Sequence, residues 1–236
     1  MSESSPYSRV DLAFLDSESH PSNRPNFDNE YGPDGWPQNN TSFRTYCFDG
    51  ERLGLRNVYE TIRTRLTILG RTGMNVALDL AGGRDGIALQ DLIRDGLVAQ
   101  GILTNLIDKR SDDVRDNPNL PIAHIAGDLV ERETCESIVN KARELAPNGL
   151  ALISWQPGRV ALSNLSSTFY KGGAHACLDM LRPGGVFLGE IPPALLSGPD
   201  LADVCASIQQ RSDVERVDAA IGAYDFGSTL ILKSFE

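Results

Sequence analysis

From Met74 to the end of the chain, apolar runs of strand length alternate with stretches of helical spacing, until the last two runs, which have no helix between them. The runs fall at about 74–80, 101–107, 121–126, 150–155, 185–191, 214–221 and 228–235. Helical spacing occupies about 86–99, 131–145, 168–181 and 200–210, and 109–120 is a short or irregular link. Such alternation dictates a mostly parallel sheet with helices on both faces, because parallel neighbours need a long crossover between them. Only the loop around Tyr224 to Gly227 joins the final pair, so that pair must be an antiparallel hairpin. The expectation is an α/β fold: a doubly wound, mostly parallel seven-stranded sheet closed by an antiparallel C-terminal hairpin.

The first of these runs carries the most chemistry. Val76 to Leu80 is apolar enough for a strand covered on both faces, except for Asp79 near its end. Ala81-Gly82-Gly83-Arg84-Asp85-Gly86 follows, a turn in which the glycines let the backbone bend sharply and approach a ligand closely. Ile87, Leu89, Leu92, Ile93 and Leu97 then take up helical spacing. The turn therefore aims a helix N-terminus, with its free N–H groups, at whatever is bound. A nucleotide or nucleoside site at the end of a parallel strand is the architecture this implies.

Charge and cysteine usage narrow the class. With 22 Lys plus Arg against 32 Asp plus Glu, the net charge is -10 and no basic footprint is present, which argues against a nucleic-acid substrate. Cys47, Cys135, Cys177 and Cys205 are widely spaced, without a Cys-x-x-Cys pair, and read as reduced thiols of a cytoplasmic protein. No signal-peptide pattern opens the sequence and no apolar run is long enough for a membrane span. Residues 1–50 are rich in Ser, Asn, Asp and Pro, which is the composition of a disordered tail. They also carry Phe27, Tyr31 and Trp36, as an arm folding over a ligand site would. Residues 51–73 are expected to hold one amphipathic helix through Leu55, Val58, Ile62, Leu66 and Leu69, packing on the domain formed by 74–236.

Three further features fall in order along the sheet. Asp108 ends the second strand, where a carboxylate can accept hydrogen bonds from both ribose hydroxyls. Gly127-Asp128-Leu129 follows the third strand, where a carboxylate and an apolar side chain could flank an adenine. Leu181-Arg182-Pro183-Gly184-Gly185 introduces the fifth strand. Together with the turn after Asp79, these resemble the class I S-adenosylmethionine-dependent methyltransferases over residues 74–235. That family has an acidic residue before a glycine turn, a Leu-Arg/Lys-Pro-Gly-Gly segment, and an antiparallel last strand. The turn departs from the usual Gly-x-Gly-x-Gly, whose places are taken by Ala81, Gly83 and Asp85. Asp85 would repel a ligand carboxylate that Arg84 could offset, or it could simply cap the helix beginning at Gly86.

The resemblance implies S-adenosylmethionine as cofactor, held by Asp79, Ala81, Gly82, Gly83, Arg84, Gly86, Asp108, Asp128, Leu129 and Ser154. It implies methyl transfer to an oxygen or nitrogen. Ser154-Trp155-Gln156-Pro157 stands where methyltransferases of exocyclic amines often carry Asp/Asn-Pro-Pro-Tyr/Phe, which argues for a small-molecule acceptor. Tyr31, Trp36, Trp155, Gln156 and Tyr170 are the candidate acceptor contacts, with Trp155 open to a core role. Candidate acid–base groups are Glu190, ending the fifth strand, and His175, in the helix before Leu181. His124 reads as a core histidine, and no metal is expected because Ser154 and Glu190 do not make an oxygen-ligand set. Two other readings stay open. One is a methyltransferase-like binding or scaffold subunit. The other is a nicotinamide-dependent oxidoreductase, which the absent Gly-x-Gly-x-x-Gly phasing disfavours.

Overall fold

The computed structural model describes residues 5–17, 42–83, 85–105, 114, 117, 119–155, 166–191, 193–196, 200–221 and 227–236. Its strands are β1 (Val76–Leu80), β2 (Gln100–Asn105), β3 (Ile122–Ala126), β4 (Leu150–Trp155), β5 (Leu181–Ile191), β6 (Val214–Ile221) and β7 (Gly227–Lys233). The principal helices are α1 (Phe43–Leu53), α2 (Val58–Gly70), α3 (Ile87–Arg94), α4 (Arg132–Leu145), α5 (Ser167–Met180) and α6 (Asp200–Gln209). All seven strands join one sheet in the order β3-β2-β1-β4-β5-β7-β6. The β1–β2, β1–β4, β2–β3 and β4–β5 pairs are parallel, and β7 is antiparallel to both β5 and β6. The sheet expected from the alternation is thus the sheet observed, with the antiparallel last strand that the resemblance implies.

Each face of the sheet buries its own core, because successive strand side chains point to opposite sides. Val76, Leu78, Ile153 and Phe187 pack with α4, α5 and α6 through Ile138, Leu178 and Ile208. Ala77, Leu152, Val186 and Leu188 pack with α1, α2 and α3 through Phe43, Leu66 and Leu89. Coverage on both faces explains why parallel β1 and β4, and antiparallel β7 beside them, are buried along their whole length.

Three local features depart from the sequence expectation. The helix expected across 51–70 is two helices. Gly54, in the left-handed region at φ 114°, ends α1, and Asn57, at φ 52°, precedes α2. The apolar spacing misses this break because Leu55 packs in the same core cluster as both helices. The Leu181-Arg182-Pro183-Gly184-Gly185 segment lies within β5 rather than before it. Leu150 pairs with Leu181 and Leu152 with Val186, so the extra residues form a bulge.

The N-terminus also departs from the tail reading, since residues 5–17 pack on the core. Tyr7 and Leu15 are buried, and the Tyr7 hydroxyl lies 3.0 Å and 2.7 Å from the carbonyls of Ala142 and Ala146, at the C-terminal end of α4. Asp16 pairs with Arg132, in the first turn of α4, at 2.7 Å. The segment therefore runs as a strap along α4 and α5, from the edge where the parallel strands begin (the amino rim) to the edge where they end (the carboxyl rim). Phe14 presses so closely on α5 that a Cβ at Gly172 would lie 2.2 Å from it.

At the amino rim the buried cations are well provided with acceptors. Arg182 donates to Asn75 Oδ1, whose Nδ2 in turn donates to the Leu66 and Leu97 carbonyls at 2.7 Å and 2.8 Å. Arg65 reaches the Lys233 carbonyl at 2.7 Å and Glu215 at 2.6 Å. Lys233 donates to the Leu178 and Leu181 carbonyls at 2.9 Å and 2.8 Å and lies 3.2 Å from Asp213.

Candidate functional site at the carboxyl rim

The carboxyl rim is where β1, β4 and β5 bring Asp79, Ser154 and Glu190 onto one side of the sheet. Asp79 and Ser154 are register partners, and Ser154 Oγ donates to Asp79 Oδ1 at 2.5 Å. Glu190 lies two residues beyond Leu188, the register partner of Ser154, and is buried with Ser228 opposite it on β7. Asp79 is fully buried, and its other oxygen, Oδ2, has no hydrogen-bond partner. Burial pushes its pKa up to about 7, and the bond from Ser154 pulls the other way.

The turn after β1 closes over this carboxylate. A Cβ at Gly82 would lie 2.0 Å from Asp79 Oδ2, so no other residue fits there without moving the acid. Ala81 sits in the left-handed region at φ 60°, a conformation that costs an L-residue about 1 kcal/mol. Its N–H is held by Thr104 Oγ1 at 3.0 Å, and its carbonyl accepts from Gly83 N–H at 2.9 Å. Asn105 Nδ2 donates to the Gly83 carbonyl at 2.6 Å. The helix start differs from the sequence expectation. Gly86, at φ 60°, is the N-cap of α3 with no side-chain cap, so Asp85 does not cap it, and the Asp85 carbonyl accepts from Gln90 Nε2.

The other candidate residues fall into three groups. Asp128 Oδ1 accepts from the Val130 N–H at 3.1 Å, shaping the turn into α4, and Leu129 packs against the core beside it. Trp155 and Tyr170 form an apolar wall on the α4–α5 side of the sheet. Their rings stack at 5.4 Å, Phe169 meets the indole edge-on, and the Tyr170 hydroxyl bonds Thr229 Oγ1 at 2.9 Å. Trp155 is 3% exposed and its indole N–H has no partner, so it is a core residue at the strand end as well as a wall of the site. A small apolar cavity of about 50 Å³ lies between this wall, Leu129 and the strap residues Val10, Leu12 and Phe14. Finally, Arg84, Asp108, Gln156, Tyr31 and Trp36 lie outside the described residues.

His175 is placed away from this group. Its Nε2 is 3.1 Å from Ser207 Oγ on α6 and its Nδ1 3.3 Å from Arg211, which also binds Asp179 and Asp213. Burial, and then Arg211, lower its pKa. Both ring nitrogens are thus engaged in joining α5 to the end of α6, and the geometry gives His175 no route to the carboxyl rim.

One residue at the rim escapes the sequence reading. Tyr46, on α1, is 6% exposed, and its hydroxyl has no hydrogen-bond partner. Burial, then the charges of Asp79 and Glu190, raise its pKa, which places the phenol in their electrostatic neighbourhood. The signal was available: Phe43, Tyr46, Cys47 and Gly50 follow i, i+3, i+4, i+7 spacing, and all are buried in α1.

No family model matches the chain, and no curated protein sequence matches it. Several solved structures are similar in shape. An O-methyltransferase from Bacillus cereus, in complex with S-adenosylhomocysteine, is 12% identical with a TM-score of 0.47, over 81% of this chain and 90% of that one. The O-methyltransferase TomG from Streptomyces achromogenes, in complex with S-adenosylmethionine, is 11% identical with a TM-score of 0.48, over 81% and 89%. A Plasmodium falciparum protein described as a ribosomal RNA methyltransferase is 14% identical with a TM-score of 0.48, over 77% and 97%. The strand order and terminal hairpin of the chain itself carry the fold. Among the described residues, no helix is long and apolar enough to cross a membrane.

Proposed function

We propose that this chain is an S-adenosylmethionine-dependent methyltransferase that methylates an oxygen or nitrogen of a small molecule. The observation that carries the reading is the buried Asp79 carboxylate, one oxygen without a partner, beneath a glycine turn at the centre of the carboxyl rim. Native proteins leave few buried polar atoms unsatisfied, and such an atom at the ligand edge of a parallel sheet fits a ligand donor. The bound cofactor supplies a methyl group already activated on a sulfonium.

The chain's own residues position and shield. Ser154 fixes Asp79, and the Ala81–Gly83 turn offers backbone groups where a Cβ at Gly82 could not fit. Gly86 opens α3 toward the same place. Asp108 is assigned to the ribose and Asp128 with Leu129 to the adenine, with Arg84 beside the carboxylate end. Trp155 and Tyr170 exclude water from one side, as an in-line displacement on a reactive sulfonium requires. Glu190 is the carboxylate on the acceptor side that can hold a proton released there. Tyr31, Trp36 and Gln156 are assigned to acceptor binding. The net charge of -10 favours a small acceptor over a nucleic acid.

Calorimetric titration with S-adenosylmethionine, S-adenosylhomocysteine and NAD tests the reading. Micromolar binding of both adenosyl compounds, lost in Asp108→Ala, is the expected result. Binding of NAD alone overturns it. Cofactor binding without product across a broad acceptor panel turns it to a binding or scaffold subunit.

A further inference from the structure

We propose that Tyr46 is a ligand-positioning residue whose hydroxyl, together with Asp79 Oδ2, receives the ammonium group of the cofactor's amino-acid end. The inference rests on the methyltransferase reading and adds a residue that none of the sequence motifs contains. Three observations lead to it.

Tyr46 Oη and Asp79 Oδ2 are both buried and both lack a partner, although they come from elements far apart in the chain. Asp79 lies on the face of the sheet that α1 covers, where Tyr46 packs with Ala77 and Leu152 in the same core cluster. The two groups are close enough to interact electrostatically, yet they make no hydrogen bond to each other. A donor group lying between them would satisfy both.

The sign of the site then selects the ligand group. Asp79 and Glu190 make this face of the rim negative, so a cation is favoured and an anion is not. An ammonium has three donors and no acceptor. It can give one hydrogen bond to the Asp79 carboxylate and another to a lone pair of the phenol oxygen. A carboxylate in the same place would meet like charge.

The arrangement also predicts that the tyrosine hydroxyl contributes nothing to the unliganded fold. Removing a polar atom that already lacks a partner relieves a desolvation penalty, so Tyr46→Phe should keep or raise the melting temperature. A loss of affinity without a loss of stability is the mark of a ligand contact.

The test is calorimetric titration of the full chain and of Y46F with three compounds: S-adenosylhomocysteine, decarboxylated S-adenosylmethionine, which keeps the ammonium, and 5′-methylthioadenosine, which has neither charged group. In Y46F the first two should bind about tenfold more weakly and the third unchanged, with no fall in melting temperature. Equal losses for all three, or no loss for any, overturn the proposal. A loss confined to S-adenosylhomocysteine assigns the hydroxyl to the carboxylate and overturns the ammonium assignment. If the unaltered chain binds none of the three, the cofactor reading itself fails, and the proposal falls with it.

Discussion

The two rims of the sheet handle buried polarity in opposite ways. At the amino rim, Arg65, Arg182 and Lys233 each donate to oxygen acceptors, and among the described residues there only Arg182 Nε and the nearby Gln100 Oε1 lack partners. At the carboxyl rim, Asp79 Oδ2 and Tyr46 Oη on the α1 face of the sheet, and Trp155 Nε1 on the other, are buried without partners among the described residues. A chain tolerates an unsatisfied buried group only at a cost, and the pair on the α1 face marks where stability has been given up. The amino rim is built to hold the fold; the carboxyl rim leaves buried groups open, as the proposed cofactor site would require. The Leu-Arg-Pro-Gly-Gly segment illustrates the division, because its arginine belongs to the structural rim and touches no part of the site.

The contrast can be broken by substitution. The largest effect is expected from Asp79→Asn. The folded pKa of Asp79 is raised to about 7 from an ordinary 3.8, so the folded state holds its proton more tightly than the unfolded chain. The stability this provides is complete below about pH 4, is lost as pH rises toward 7, and stays lost above. Asp79→Asn should flatten that slope, stabilise the ligand-free protein at pH 8 by about 2–4 kcal/mol, and abolish cofactor binding. Denaturant titrations of both proteins at pH 5 and pH 8 check it, and equal midpoint shifts at the two pH values would refute the ionisation argument.

Arg182→Met should do the reverse: destabilise by about 2 kcal/mol, because Asn75 Oδ1 loses its donor, while leaving cofactor affinity unchanged. A loss of affinity there would mean that the rims are coupled. The smallest effect belongs to Ala81→Gly, which removes the left-handed strain and should add up to about 0.5 kcal/mol after the entropy of glycine is subtracted. Thermal unfolding reads it directly, and a fall in melting temperature would show that the methyl group packs usefully.

The sheet was legible because its determinants are local and repeated. Apolar runs such as Leu150–Trp155 are of strand length, and the gap between the last two strands is too short for a crossover. The order of the strands within the sheet was not read from the sequence, because it is set by contacts across crossovers that no single residue encodes. The site was legible only in part. Asp79, Gly82 and Ser154 lie on or beside strands, where sequence position fixes location. The rim residue that was missed, Tyr46, and the strap both belong to the first 50 residues, whose composition conceals the spacing of Phe43, Tyr46 and Cys47 and of Tyr7 and Leu15. The surroundings of His175 were not legible for a different reason. Its helix was identified correctly, but which face a helical residue presents to a later helix depends on contacts with Ser207 and Arg211 that no local pattern encodes.

The strap has a consequence in time as well as in space. Tyr7 closes its two hydrogen bonds across 135 and 139 residues of chain. Closing a loop of that length has an entropic cost, and the reward exists only once α4 has formed and packed. Residues 5–17 are synthesised before α4 and must therefore wait for it before they can dock. A short segment that docks on a finished surface can detach without disturbing it, so the amides of residues 5–17 should exchange with solvent through openings that leave the sheet intact. Order of synthesis and order of assembly run in opposite directions in this chain.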